Sequence, residues 1–362
     1  MTNQELVSTV FRKEILTQSA YKVMDATGMI KLDAMENPYG WPDDIKTRWL
    51  EILKDCALNR YPDPEAANLV KTIRTLYRLP EAAGLLLGNG SDEIIQLLLM
   101  ALPAGACVLS PEPGFVMYGQ ISRCLGLNYV GVPLRADNFD LDLPAMLAAI
   151  EKLRPSVIFL AYPNNPTGNL FDDNSIRAII DKAPGLVVID EAYEPFAGAS
   201  YMSALSQYDK LLVMRTVSKL GLAALRLGYI AGNRAIIEQI NKIRLPYNIN
   251  ILTQASVEFA LSQQSLFEAQ IRKICSERTV MFNRLSQLKN IRVYPSAANF
   301  ILFKTGPHQA DRIFNNLRQQ GILIKNLNPQ GGLLQDCLRV TIGKPEENTG
   351  FLTALEKSLS SI

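Results

Sequence analysis

The sequence predicts an α/β fold in which a large domain with a mainly parallel, seven-stranded sheet lies between helices and a smaller α+β domain is attached. Three observations carry this. Short, continuously apolar runs alternate with amphipathic stretches from about residue 85 to 235, as expected of strands covered on both faces. Past residue 290, strands and helices alternate again in a shorter tail. The 362 residues, 48% of them hydrophobic, suffice for one large domain or two moderate ones.

The elements follow in order. Residues 85–87 form a short strand, followed by the turn GNGS and the amphipathic DEIIQLLLMAL. Residues 107–109 and 128–132 are two further runs, then come SVIFLAY (156–162), LVVID (186–190), KLLVMRT (210–216) and RLGYIAG (226–232). LPAMLAAIEKL and DDNSIRAIIDKA have helical spacing between them, and a helix from about 234 to 244 is halted by LPYNINI. One long helical stretch is expected over 253–288, then strands in IRVYP, NFILFK, GILIKN and LRVTIG, with helices at 308–320 and 345–360. The expected domains are an N-terminal segment, 1–40, joining the smaller domain; a large domain, 41–250; and an interdomain helix with a small C-terminal domain, 251–362.

Composition narrows the chemistry. A net charge of +2 with mixed signs argues against nucleic acid or a polybasic membrane patch. No apolar run reaches the roughly 20 residues of a bilayer span, and charges interrupt the mildly apolar start, so no signal peptide or membrane segment is expected. Five scattered cysteines, none spaced as CxxC, read as free thiols in a reducing cytoplasm, with no metal site. The single histidine, His308, lies in the polar KTGPHQAD and reads as a surface residue. Acid–base work then falls to lysine, tyrosine or carboxylates.

Ligands of parallel α/β sheets gather beyond the carboxyl ends of the strands. There stand Asn89-Gly90-Ser91-Asp92, Pro163 to Gly168 (PNNPTG), Asp190-Glu191-Ala192-Tyr193 and Val217-Ser218-Lys219. Taken singly, each reads blandly: a turn capped by Ser91, a loop, solvated carboxylates, a surface lysine. Together they set an amide, a carboxylate, a phenol, an amine and an anion-ready helix start along one edge. RTVSKLGLAALRLG (215–228) is the oddest stretch, holding Lys219 and Arg226 among small apolar residues.

The order GNGSDE, PNNPTG, DEAY, RTVSK and LRLGY resembles the fold-type I pyridoxal-phosphate aminotransferases, a class II aminotransferase pattern. KLDAMENPYG, LNRYPDP, SAANFILF and CLRVTIG are similar to the histidinol-phosphate aminotransferase family within them. The resemblance runs from Tyr21 to Gly343. It implies pyridoxal 5'-phosphate as cofactor, attached covalently through Lys219, which would also act as the catalytic base. Asp190 would partner the pyridine nitrogen, Asn165 and Tyr193 the ring oxygen, and Phe115, ahead of Tyr118, would stack on the ring. Ser91, Asp92, Thr216, Ser218 and Arg226 would hold the phosphate, with Tyr61 reaching it from a second subunit, which makes the enzyme a homodimer with a shared active site. Tyr21, Asn37, Lys325 and Arg339 would face the substrates, an amino donor and a 2-oxo acid acceptor.

The expected reaction is transfer of the amino group between L-histidinol phosphate and 2-oxoglutarate in histidine biosynthesis. An aromatic or other amino-acid aminotransferase, or a threonine-phosphate decarboxylase, is the alternative on the same scaffold; a metabolite-sensing regulator would need a DNA-binding domain that is not evident. Three departures stand out. The Lys219–Arg226 loop is one residue shorter than in many relatives, Met35 replaces the first Asn of NENP, and Lys325 stands where an arginine is usual.

Overall fold

The protein's structure, a computed structural model, describes residues 2–20 and 23–360. Seven strands form the large sheet: β2 (Ala83–Asn89), β3 (Cys107–Glu112), β4 (Asn128–Pro133), β5 (Val157–Ala161), β6 (Leu186–Asp190), β7 (Leu211–Thr216) and β8 (Leu227–Asn233), preceded in the chain by β1 (Ile30–Leu32). Their order is β2-β8-β7-β6-β5-β3-β4, and β8 alone runs antiparallel to its neighbours. The sheet is covered on both sides. Ile158 and Leu160 of β5 enter one apolar cluster with Val187, Ile189 and Val213, while Val157 and Phe159 enter the opposite one with Val188, Leu212 and Met214. Strict alternation between two buried faces is why these strands read as unbroken apolar runs.

A second sheet has the order β1-β11-β12-β10-β9, completed by β9 (Arg292–Val293), β10 (Phe300–Lys304), β11 (Ile322–Asn326) and β12 (Cys337–Thr341). The early strand β1 lies parallel to β11, so residues just before the ENPYG segment belong to the tail's sheet. The helices Ala310–Gln319, Pro345–Ser360 and the inner face of Gln264–Ser286 cover it.

Several elements differ from expectation. The stretch expected as one helix over 253–288 is two, Ile251–Leu261 and Gln264–Ser286, because the first packs on helices Asp43–Lys54 and Ala67–Leu76 and the second on the small sheet. Those two packing partners, and helix Val116–Cys124, were not anticipated. Asp43–Lys54 buries none of its residues in this chain, so its sequence lacks the apolar weight of a core helix. The helix of GNGSDE is capped by Gly90 and begins at Ser91, which displaces Ser91 from the expected cap position. His308 is an exposed turn residue whose backbone N–H donates to Asp336 Oδ1 at 2.8 Å.

Candidate active site

The carboxyl ends of β2, β3, β5, β6 and β7, and the start of the antiparallel β8, meet at one edge of the large sheet. A cavity of about 240 Å³ opens there, with Ala34, Met35 and Glu36 in its lining.

Lys219 enters this cavity from a single 3-10 turn, Ser218–Leu220, directly after β7. Gly221 follows at φ +112°, a backbone state that side chains rarely adopt, and it ends the turn against Asn37. Lys219 Nζ donates to the Ala34 carbonyl at 3.2 Å and lies 5.7 Å from the centre of the Tyr193 ring. Burial, followed by the nearby charge of Arg339, lowers its pKa to about 8, so roughly a tenth of the amine is unprotonated at pH 7, far more than for a free lysine.

Asp190 ends β6 and is 4% exposed. Its Oδ2 accepts the Tyr118 hydroxyl at 2.6 Å and its Oδ1 the Ala192 N–H at 3.1 Å. Burial pushes its carboxyl up to about 6. Asn165 Nδ2 donates to the Tyr193 hydroxyl at 3.1 Å, while Asn165 Oδ1 accepts Arg339 Nη1 at 2.6 Å. Phe115 lines the cavity, and Tyr118 does not; it stacks on Phe159 behind Phe115.

Ser91 and Asp92 open helix Ser91–Met100, whose first turn has no side-chain cap. Gly90 and Gly228 keep this end open, since a Cβ at 90 would sit 2.6 Å from Arg226 Nη2 and one at 228 only 2.7 Å from the Ser91 nitrogen. Arg226, half-exposed, reaches across with Nη2 3.5 Å from Asp92 Oδ2. Thr216 Oγ1 lies 2.9 Å from Ser218 Oγ, and both residues line the same cavity. An uncapped helix start, two hydroxyls and a guanidinium make a cradle for a dianionic phosphate.

An adjoining cleft of about 460 Å³ shares Ala34 and Met35 and is lined by Lys325 and Arg339, cross-strand neighbours on β11 and β12. Arg339 is 5% exposed, donates through Nη2 to the Asp33 carbonyl at 3.0 Å and lies over the Phe300 ring.

Asn37 and Tyr61 lie outside this cavity. Asn37 lines neither space: its amide donates to the Leu220 carbonyl at 2.9 Å and to Gln270 at 2.8 Å, bracing the lysine turn. Tyr61 is 81% exposed and stacked on Tyr247, away from the cavity of its own chain. Tyr21 lies outside the described residues. Sequence reasoning missed the Tyr118–Asp190 bond and the buried pair of Glu191 with Arg215, 2.8 Å apart, which ties the ends of β6 and β7 together. The charged Arg215 inside an apolar strand was the available signal for the second; nothing local marked the first.

The donor set fits pyridoxal 5'-phosphate: an amine, a buried carboxylate, an amide–phenol pair, an aromatic face and an anion cradle all line one cavity. The profile of the family described as "Aminotransferase class I and II" matches residues 27–355. The chain is 55% identical to histidinol-phosphate aminotransferase 2 of Nitrosococcus oceani over 98% of both chains. It superposes on the histidinol-phosphate aminotransferase of Clostridium acetobutylicum with a TM-score of 0.84 at 26% identity, covering 92% of this chain and 99% of that one. The Sinorhizobium meliloti histidinol-phosphate aminotransferase, solved with pyridoxal-5'-phosphate, shares the fold at a TM-score of 0.85 and 23% identity over 98% of both chains.

Proposed function

The chain belongs to the class I and II aminotransferase family, and on that premise we propose that it transfers the amino group between L-histidinol phosphate and 2-oxoglutarate, with pyridoxal 5'-phosphate as cofactor, in the histidine biosynthesis of the cytoplasm. The observation that carries the reading is Lys219, a part-neutral amine facing Asp190 and the Asn165–Tyr193 pair in one cavity, beside a cleft bearing Lys325 and Arg339.

When bound, pyridoxal phosphate supplies a carbonyl that takes up an amine and a ring that accepts electrons. This chain's residues do the rest. Lys219 Nζ would hold the cofactor covalently and, as a free amine, would take the proton from the donor's Cα; its lowered pKa makes it a competent base without histidine. Asp190 keeps a positive charge at the pyridine nitrogen. Asn165 and Tyr193 would orient the ring oxygen, and the backbone N–H groups of Ser91 and Asp92, the hydroxyls of Thr216 and Ser218 and the Arg226 guanidinium would hold the phosphate. Arg339 and Lys325 bind the substrate's anionic end, a carboxylate or a phosphate.

Mixing the loaded enzyme with L-histidinol phosphate, L-phenylalanine or threonine phosphate and following the cofactor's absorption tests the substrate. Rapid conversion by histidinol phosphate alone is expected, and conversion by phenylalanine alone would sink the assignment. Lysine acts as a point charge where arginine is a fork. Lys325→Ala should therefore raise KM for histidinol phosphate by about 10–100-fold, the worth of one hydrogen bond to a charged group, with Lys325→Arg close to the natural enzyme. An unchanged KM in Lys325→Ala would remove Lys325 from the site.

The same reading includes a homodimer. Leu58, Tyr61 and Leu245 are 73%, 81% and 73% exposed, and Tyr61 is stacked on Tyr247, an apolar surface suited to a second copy that would bring Tyr61 to the partner's phosphate cradle. Sedimentation should find twice the chain mass, and Tyr61→Phe should lower cofactor retention several-fold without dissociating it. A fully active monomer would refute the shared site.

A further inference from the structure

Asp190 is gripped by two donors from different parts of the fold. The Ala192 N–H comes from its own loop, and the Tyr118 hydroxyl from helix Val116–Cys124, 72 residues earlier. Tyr118 is fully buried, its ring stacked on Phe159 with centroids 4.4 Å apart and edge-on to Phe115 at 5.4 Å. Those ring contacts would serve a phenylalanine equally well. The hydroxyl instead lies 2.6 Å from Asp190 Oδ2, so its presence in this apolar cluster is explained by the carboxylate it bonds.

We infer that Tyr118 is a positioning residue for the amino transfer: its hydroxyl fixes the rotation of the Asp190 carboxyl and selects the carboxylate form. The inference rests on the proposed reading that Asp190 faces the pyridine nitrogen. Each Asp190 oxygen accepts one hydrogen bond, and a carboxyl protonated on Oδ2 could keep the Tyr118 contact only by reversing it, which turns the buried Tyr118 hydroxyl proton away from Asp190. Burial raises the carboxyl, as do the charges of Asp92 at the helix start and of Glu191 next to it, while the Tyr118 and Ala192 bonds lower it. Tyr193, Lys219 and Arg226 face the same cavity.

The test compares the loaded full-length enzyme with Tyr118→Phe, Phe159→Leu and Asp190→Asn, measuring kcat from about pH 5 to 9 and cofactor affinity at each step. Loss of the hydroxyl should move the acid limb of kcat upward by roughly one pH unit and weaken cofactor binding several-fold, with KM for the amino donor unchanged. Phe159→Leu loosens the stack but keeps the hydroxyl, and should leave the limb in place. An unmoved limb in Tyr118→Phe, or an equal shift in Phe159→Leu, overturns the proposal. Asp190→Asn with natural turnover would overturn the underlying reading instead. Should Tyr118→Phe fail to fold, the natural enzyme decides: a slowly exchanging downfield hydroxyl proton that moves upfield in Asp190→Asn, where the acceptor loses its charge, is expected, and its absence refutes the bond.

Discussion

Lys219→Ala should lose amino transfer by about five orders of magnitude, as expected when the group that performs the covalent and proton-transfer steps is removed. No other described amine lines the cavity, so no neighbour can substitute. The fold should survive, and the cofactor-free variant should be more stable than the natural chain. The lysine's pKa falls from 10.5 to about 8 on folding, so the unfolded chain binds more protons between those values. The charged ammonium therefore destabilises the native state fully below about pH 8, by roughly 3 kcal/mol at most, and this effect fades as pH rises toward 10.5. Melting of cofactor-free Lys219→Ala should exceed that of the natural chain near pH 7, the gap closing near pH 10. Turnover above about one per cent would remove Lys219 from the catalytic role.

Asp190→Asn is expected to lower kcat by about 10²–10⁴-fold while cofactor affinity changes far less. Asparagine keeps the volume and still accepts the Tyr118 hydroxyl, but it brings no charge to the ring nitrogen. The natural enzyme should show an acid limb below the empty site's value of about 6, since the ring's positive charge favours the anion and the anion is lost only as pH falls further, and Asp190→Asn should lack that limb. Single-turnover measurements across pH separate the two effects. A small loss in kcat with a large loss in cofactor affinity would make Asp190 a binding residue only. Asp190 also costs the empty protein stability: with the folded value above the ordinary 3.8, that cost grows as pH rises from about 4 to 6 and is complete above. Both central charges thus weaken the cofactor-free fold, and a bound cofactor with opposite partners offsets them.

Most of the large sheet was legible because burial on two faces leaves short unbroken apolar runs set between helical patterns; β5, β6 and β7 match the runs read there within a residue. Helices Asp43–Lys54 and Ala67–Leu76 were not, since the first buries nothing in this chain and the second only Leu69 and Ile73. Lys219, Asp190, Asn165, Tyr193 and Arg226 stood out because each follows or precedes a strand whose end can be read locally.

The sequence by itself determined the strands, the order of the polar groups at their ends and the family pattern they compose, because these depend on periodicity and on neighbours a few residues apart. Only the tertiary structure decided which distant groups meet. Tyr118 finds Asp190 across 72 residues and Arg339 finds Asn165 across 174, while Asn37, expected at the substrate, braces Leu220 across 183. A buried polar atom takes whichever partner the packed chain brings within about 3 Å, and no local pattern encodes that distance.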